Sequence, residues 1–448
     1  METVYFIGIG GSGMLGLASL TLNKGINVIG SDISGSDKLD ELKSKGAKIY
    51  SEHSEKNINE NNIDLLVYSG AIKSSNPEII AAKKKGIKCI SRSKYLGMFM
   101  KNFKNSIAVS GSHGKTTTSS MITNVLVDTN KNPTSIIGAF FPKIKGNSTL
   151  GNSDIAVCEA CEYLDSFLDL DPKIGVILNI DNDHLDYFKT LENEKKSFHE
   201  FAKKCEILVI NADDDNSMDI TKNLSSNILT FGIKNNAQFM ASDISLDKNG
   251  CYKFDLVFNN EKILNISLKI PGKHNIYNAL SSVAVCRQFD ISFEDIKKSI
   301  EDFSGADRRF TFWGSFNNIS IFDDFAHHPT EIEATLKSAK QMKFNKIWLV
   351  FQPHTFSRTY LLLDDLAKSL SIADKVILTD ILPVRETNIY GISSEDLSKK
   401  IENSIVIKDF DQIADYLKEN VEPGDMILTM GGGDIYKCTD VIYKKYRT

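Results

Sequence analysis

The sequence has no apolar run that approaches the roughly 18 residues a membrane-spanning helix needs. It has no excess of positive charge either. Lys plus Arg number 53 against 58 Asp plus Glu, a net charge of −5. A chain with that balance is not built to coat nucleic acid or an anionic membrane, so any phosphate it binds must be held by local loops. The first residues, METVYFIGIGGSG, lack a basic segment followed by an apolar one, which predicts no signal peptide. The seven cysteines are odd in number and scattered, which points to reduced thiols and a cytoplasmic location. There is no repeat of fixed period and no low-complexity tract.

What is present suits a globular protein. Apolar residues make up 42% and charged residues 25% of the 448, enough for sizeable cores in about three domains. Short apolar runs alternate with helical segments, the βαβ rhythm of an α/β protein with parallel sheets. The first block carries strands at 4–8, 26–31, 63–68 and 87–90. Polar KNFKN at 101–105 separates it from a fresh strand at 106–110. Further strands follow at 154–158, 174–180 and 207–210. Between about 228 and 270 the alternation with turn residues predicts an antiparallel meander. Two helices come next, near 275–289 and 292–302, and Ser304 to Asp307 reads as a linker. The last block has strands at 347–351, 375–379, 404–407 and 425–430. The predicted organisation is an N-terminal Rossmann-like parallel sheet (1–104), a central P-loop-type ATPase domain with the small meander (105–305), and a C-terminal Rossmann-like α/β domain (306–448).

The sharpest chemical signal is the stretch from Ser106 to Thr118, SIAVSGSHGKTTT. It reads as a strand, a glycine turn at Gly111 to Gly114, and a helix over 116–127. Glycines let main-chain N–H groups approach phosphate oxygens, and the helix start adds donors and a favourable dipole. Lys115 can reach the outer phosphates and the Thr116 hydroxyl can hold Mg²⁺, with Thr117 in the same turn. The loop is shorter than the general P-loop, since Val109 stands where a further glycine is usual.

Such a site needs acids. Glu159 directly follows the strand 154–158, at the carboxyl edge of the sheet. The run DNDHLD at 181–186 follows the strand 174–180 and offers carboxylate and imidazole together, in Asp181, Asp183 and His184. Cys158 and Cys161 form a C-x-x-C, but the first sits within a strand and no second pair completes a zinc site, so both read as packing residues. Near the N-terminus, Gly8, Gly10 and Gly13 follow a strand and open a helix, and Asp32 ends the next strand 19 residues after Gly13. This is the dinucleotide fingerprint, which serves any diphosphate, that of a UDP-sugar as well as that of NAD. Ser69 to Ile72 end another strand and can close over the same ligand.

These pieces together resemble the Mur ligase family over essentially the whole chain. The matching segments are GIGGSGMLGLA (8–18), SGAIKSSNPE (69–78), GSHGKTTT (111–118), EACEYLDSFL (159–168), NIDNDHLDYF (179–188), GKHNIYNAL (272–280), DRRF (307–310), DDFAHHPTE (323–331), FQPHTFSRT (351–359) and GGGDI (431–435). The resemblance implies ATP-dependent joining of L-alanine to the lactyl carboxylate of UDP-N-acetylmuramate through an acyl phosphate, for peptidoglycan. It implies a monomer or homodimer with no nucleic-acid or membrane partner. By motif, Gly111, Ser112, His113, Gly114, Lys115, Thr116 and Thr117 would cradle ATP, with Lys115 on the transferred phosphoryl group. Thr116 and Glu159 would bind Mg²⁺ or Mn²⁺, and His184 a second metal. Asn275 and Asn278 would lie by the adenine, and Arg309 and Asp324 would complete the nucleotide site. His327, His354 and Arg358 would face the reacting carboxylate and amine. Gly10, Gly11, Ser12 and Gly13, with Asp32 and Ser69, would hold the UDP-sugar. Phe325 stands where the family usually has Tyr. Several relatives bridge metals with a carbamylated lysine; neither Lys195 nor Lys196 is assigned that part. Two alternatives stay open: a related ligase that adds a preformed peptide to the same UDP-sugar, and an NAD-dependent dehydrogenase built on the first domain.

Overall fold

The strand Thr3–Ile7 is buried along its whole length, as the central strand of a sheet covered on both faces must be. Asn27–Ser31 and Leu65–Tyr68 flank it, Lys48–Tyr50 and Lys88–Ser91 lie outside these, and every pair is parallel. The apolar runs predict four of the five strands. Lys48–Tyr50 shows no pattern in the sequence because it is a three-residue edge strand with no buried residue.

The computed structural model describes residues 2–33, 37–384 and 386–447. The chain divides into two units, Met1–Met240 with Leu280–Ser299, and Ala241–Ala279 with Ile300–Thr448. The first unit holds the sheet just described and a second one. Seven strands of that second, ten-stranded sheet run, in order, Asn227–Gly232, Ile207–Asn211, Ile174–Ile177, Asn105–Ser110, Ile155–Glu159, Thr134–Phe141, Gly146–Thr149. Among these seven only the last pair is antiparallel. The predicted antiparallel meander is present over 251–271 but not at its first strand. Asn227–Gly232 pairs parallel with Ile207–Asn211, and the helix Asp215–Asp219 lies in the crossover between them. An alternating pattern reports burial of one face, not strand direction, and a crossover segment is what a parallel return requires. Antiparallel pairing is found in the second unit, in the hairpin Cys251–Phe258 with Glu261–Pro271.

Two helices of the first unit place the site. Lys115–Asp128 follows the strand Asn105–Ser110 and is buried from Thr116 to Leu126. Leu191–Ala202 opens on Thr190, whose hydroxyl accepts from Asn193 N at 3.3 Å. Its inner residues Phe198 and Phe201 pack on Phe167, with ring centroids at 5.1 and 4.9 Å. Phe167 belongs to the turn Tyr163–Asp169, so this packing anchors the segment that follows Glu162.

In the second unit a six-stranded sheet runs Thr311–Phe316, Ile319–Asp324, Met426–Met430, Ile347–Phe351, Lys375–Leu378, Ser404–Val406. The first pair is antiparallel and the others parallel. That first hairpin is not among the predicted strands. Its signal is Asn317-Asn318, both at positive φ (48° and 61°), the conformation a tight hairpin turn demands. No described helix is long and apolar enough to cross a membrane.

Candidate active site

The glycine loop leaves the strand Asn105–Ser110 with Gly111 at φ 132° and enters its helix with Gly114 at φ 90°. A Cβ on Gly111 would lie 3.0 Å from Leu178 Cβ and 3.1 Å from Asn179 N, so the loop rests directly on the neighbouring strand end. Asn179 clamps it. Its Oδ1 accepts from His113 N at 2.8 Å and its Nδ2 donates to His113 O at 3.1 Å. Ser112 N donates to Asn179 O at 3.1 Å, Asp181 N donates to Ser112 Oγ at 2.9 Å, and His113 Nε2 lies 3.0 Å from Asp181 Oδ2.

Lys115 turns back into this loop. Its Nζ donates to Gly111 O at 2.5 Å and Ser112 O at 3.2 Å, and to Glu162 Oε1 and Oε2 at 3.0 and 2.9 Å. Burial works against the ammonium, but Glu162 outweighs it, with Cys161 and Asp183 adding to the effect, and the pKa is raised. His184 Nε2 lies 3.6 Å from Glu162 Oε1 and 3.7 Å from Asp183 Oδ2. The His184 ring packs on Tyr163 at 4.6 Å. Burial, then Glu162, pushes the Cys161 thiol up to about 11, which leaves it unreactive. Within the run 181–186, the side chains of Leu185 and Asp186 lie outside the described residues.

Glu159 has a different setting. Its Oε1 accepts from Gly138 N at 2.5 Å and Ser119 Oγ at 3.3 Å. A Cβ on Gly138 would meet its Oε2 at 2.6 Å. The acid brought against Lys115 and His184 is Glu162, three residues on. The bend that follows it includes Leu164 and Asp165, both left-handed at φ 56° and 54°. Asp165 is held by the Tyr187 hydroxyl at 2.5 Å and by the Ser197 hydroxyl. Glu194 also faces this group. Burial, then Glu162, Asp183 and Asp181, pushes its carboxyl up to about 8.

The N-terminal glycines assemble a second site in the same unit. Gly10 N donates to Asp32 Oδ2 at 2.7 Å. A Cβ on Gly8 would lie 3.3 Å from Ser69 Oγ, and one on Gly13 would lie 3.1 Å from Arg92 Nη1. Gly8 and Ser69 follow the adjacent strands Thr3–Ile7 and Leu65–Tyr68, whose further neighbours lie on opposite sides. That is the switch point of the sheet, where open α/β sheets take ligands. Asn147 Nδ2 donates to Ser12 O at 2.7 Å and ties down the helix start.

The second unit gathers its own cluster at the carboxyl ends of Ile319–Asp324, Ile347–Phe351 and Met426–Met430. The His327 and His354 rings lie 5.2 Å apart, and Arg358 Nη1 lies 3.1 Å from His354 O and 3.3 Å from its Nδ1. A Cβ on Gly432 would lie 3.1 Å from the His327 ring. Arg308 donates to Asp323 at 2.9 Å and to the carbonyls of Gly431 and Gly433 at 2.7 Å each. Asp324 accepts from Phe310 N and Ala326 N, each at 2.7 Å. Burial pushes its carboxyl up to about 6, against the pull of Arg309. The Phe325 ring packs against both guanidinium groups, 5.1 Å from that of Arg308 and 5.0 Å from that of Arg309. Asn275 Nδ2 donates to Pro271 O at 2.7 Å, and Asn278 Nδ2 to Asn275 Oδ1 at 2.9 Å.

The sequence matches the Mur ligase family catalytic domain over 3–104, the Mur ligase middle domain over 109–286 and the Mur ligase glutamate ligase domain over 308–433. The chain belongs to the Mur ligase family. It is 47% identical to the UDP-N-acetylmuramate–L-alanine ligase of Acetivibrio thermocellus, over 98% of this chain and 95% of that one. It is 45% identical to that of Caldicellulosiruptor bescii, over 99% of both. Its fold is that of the solved UDP-N-acetylmuramate–alanine ligase of Thermotoga maritima, with a TM-score of 0.85 at 27% identity, covering 100% of this chain and 99% of that one. A murein peptide ligase from Psychrobacter arcticus shares the fold at a TM-score of 0.76 and 23% identity, over 100% and 99%.

This is thus the three-domain α/β Mur ligase fold. Within it, the structure brings together Gly111 to Thr117 with Glu162 and His184, Gly10 with Asp32, and His327 with His354 and Arg358. It leaves Glu159 against Gly138 and Ser119. Four residues of this Mur ligase are not singled out by the sequence: Glu162, Asn179, Glu194 and Arg92. Glu162 had a signal, a second acid in EACE. Asn179 had one too, an amide closing an apolar strand before an acidic turn. Arg92 had none, since its neighbour Gly13 is 79 positions earlier in the chain.

Proposed function

We infer that the chain is an ATP-dependent ligase that joins L-alanine to the lactyl carboxylate of UDP-N-acetylmuramate, a step of peptidoglycan precursor synthesis. The observation that carries it is 45–47% identity to L-alanine ligases over the full length, in a chain whose glycine loop sets Lys115 against Glu162 and His184. The domains are read as 1–104 for the UDP-sugar, 105–305 for ATP and 306–448 for ligation. The place of action is read as the cytoplasm, in keeping with seven unbonded cysteines.

In this reading the lactyl carboxylate attacks the γ-phosphorus of ATP, giving an acyl phosphate and ADP. The amine of L-alanine then attacks the acyl carbon, and phosphate leaves from the tetrahedral intermediate. Main-chain N–H groups of Gly111 to Thr117 cradle the phosphates, and Lys115 offsets the charge that develops on the transferred group. Thr116, Glu162 and His184, with Glu159 as the alternative acid, would hold Mg²⁺ or Mn²⁺, which neutralises phosphate charge. Hydroxyl, carboxylate and imidazole donors suit such ions, and among the described residues the buried Glu194 oxygens lack a well-formed hydrogen bond. Gly10 to Gly13, Asp32 and Ser69 are assigned to the UDP-sugar. Asn275, Asn278, Arg309 and Asp324 remain the nucleotide residues proposed for the second unit, and His327, His354 and Arg358 those for the carboxylate and amine.

The test is ADP release with UDP-N-acetylmuramate at saturation and L-alanine, glycine, L-serine, D-glutamate or an L-alanyl-D-glutamyl-diamino acid peptide as acceptor. L-Alanine should give the highest kcat/KM. A higher value for the peptide would make this a peptide ligase, and NADH formation without ADP release would make it a dehydrogenase.

A further inference from the structure

The helix Phe356–Leu361 carries Arg358 and is six residues long. A helix of that length is not stable on its own in water. Its N-cap residue, Thr355, is of the type that usually accepts from a main-chain N–H of the first turn. Here it makes no such bond. Its hydroxyl donates instead to Glu386 Oε1 at 2.7 Å, and the Ser357 hydroxyl donates to the same oxygen at 2.5 Å. Ser357 N, one of the donors a helix start leaves over, donates to Glu386 Oε2 at 2.7 Å. A carboxylate 29 positions away has taken over the cap.

Glu386 comes from the next loop of the sheet. It follows Lys375–Leu378, which pairs parallel with Ile347–Phe351, the strand that leads to His354 and Thr355. The two loops also meet at Leu382, which bridges to His354 and whose N–H donates to Pro353 O at 2.9 Å. Burial works against the charge on Glu386, but the bonds from Ser357 and Thr355, with Arg358 adding to them, hold its carboxyl below the usual glutamate range. A negative group also suits the positive end of the helix. A self-capped Thr355 would fix the helix start to its own chain alone. The Glu386 cap fixes it to the neighbouring loop, and Arg358 stands in the turn so held, its Nη1 3.1 Å from His354 O.

We propose that Glu386 is a positioning residue for the amino-acid substrate: by capping Thr355 to Ser357 it sets the Arg358 guanidinium for the carboxylate of L-alanine. This rests on the reading of Arg358 given above.

The test is steady-state ADP release by the full chain, with each substrate varied in turn. Glu386→Ala should raise KM for L-alanine by about tenfold or more, the loss of hydrogen bonds to a charged group, with KM for ATP and UDP-N-acetylmuramate unchanged. Glu386→Gln should raise it less, because one oxygen still accepts from Ser357 N and the two hydroxyls can turn to accept from the amide. A role in holding the fold alone would lower the active fraction, and so kcat, with every KM unchanged; that result overturns the proposal. The double variant with Arg358→Ala should show the KM of Arg358→Ala alone, since both changes act on one contact. If the two losses multiply, Glu386 acts by another route and the proposal falls. If Glu386→Ala does not fold, Thr355→Val takes its place, close in shape and without the hydroxyl: a raised KM for L-alanine supports the proposal and an unchanged one overturns it. An unchanged KM in Arg358→Ala refutes the carboxylate reading itself, and the proposal with it. An unchanged KM in Glu386→Ala beside a raised one in Arg358→Ala refutes the proposal alone.

Discussion

Lys115 and Glu162 meet at two points, the ammonium lying 3.0 and 2.9 Å from the two carboxylate oxygens, with the Glu162 side chain fully buried. They are 47 residues apart in the chain. One belongs to the helix start after the glycine loop and the other to the bend after the next strand in the sheet. A buried pair of this kind adds little net stability, but removing one member leaves the other buried without compensation. The pair holds the lysine charged and in place for the phosphoryl group it is proposed to meet.

Lys115→Ala should therefore lower kcat for ADP release by about 10²-fold or more, the usual effect of losing one preorganised electrostatic group. Glu162→Gln should fall into the same class. Glu159→Gln should cost less, because Glu159 bonds to Gly138 and Ser119 and not to Lys115. Steady-state ADP release by the three purified variants settles the order. A loss in Glu159→Gln larger than in Glu162→Gln would reverse the assignment.

Gly10→Ala and Gly13→Ala should separate at the sugar-nucleotide site. A Cβ on Gly10 would stand 2.9 Å from Asp32 Oδ2 and push the carboxylate off the Gly10 N–H. A Cβ on Gly13 would meet only the end of the flexible Arg92 side chain, at 3.1 Å. Calorimetric titration with UDP-N-acetylmuramate should show about tenfold or greater weakening for Gly10→Ala, the loss of roughly 1.4 kcal/mol that one hydrogen bond supplies. Gly13→Ala should weaken it less.

Arg358→Ala should raise KM for L-alanine with little change in melting temperature, since its guanidinium is the proposed partner of the amino-acid carboxylate. Acceptor choice in the wild type should be graded. A single methyl in an apolar pocket is worth about 1–3 kcal/mol, so glycine should trail alanine by roughly 10–200-fold in kcat/KM. An unchanged KM in Arg358→Ala would place the carboxylate contact elsewhere.

Asp324 gives a pH signature. Its carboxyl is raised to about 6 by burial, against the pull of Arg309. Below about pH 4 it is protonated in both folded and unfolded chains. Between about pH 4 and pH 6 the unfolded chain gives up the proton and the folded one keeps it, so this residue lowers stability as pH rises, and its contribution levels off above pH 6. Asp324→Asn keeps an acceptor for only one of Phe310 N and Ala326 N, a cost that does not depend on pH, and its stability relative to wild type should still shift in its favour by up to about 3 kcal/mol between pH 4 and pH 7. Both tryptophans, Trp313 and Trp348, lie in the second unit, so their fluorescence during urea unfolding reads this directly. A constant difference across that range would contradict it.

Much of the molecule can be read from local sequence. The strand–glycine–helix order around Lys115, the strand ending before Ser69 and the loop with His327 are all local. Their chemistry follows from a few neighbouring residues. Asn227–Gly232 shows the limit. Its alternation marks a half-buried strand, but its direction depends on a partner some twenty residues away and on the crossover that joins them.

The sequence by itself determined which residue types stand at each strand end, because hydrophobic period and turn chemistry act over a few residues. Tertiary structure alone decided which of those residues meet. EACE offers two acids three positions apart. Glu162 meets Lys115 and Glu159 lies against Gly138, and the left-handed bend at Leu164 and Asp165 directly after Glu162 is held by Tyr187 and Ser197 from distant segments. Glu194 makes the same point. In the sequence it is one more charge in ENEKK; the packing of Phe198 and Phe201 on Phe167 turns that face of the helix inward and buries the acid.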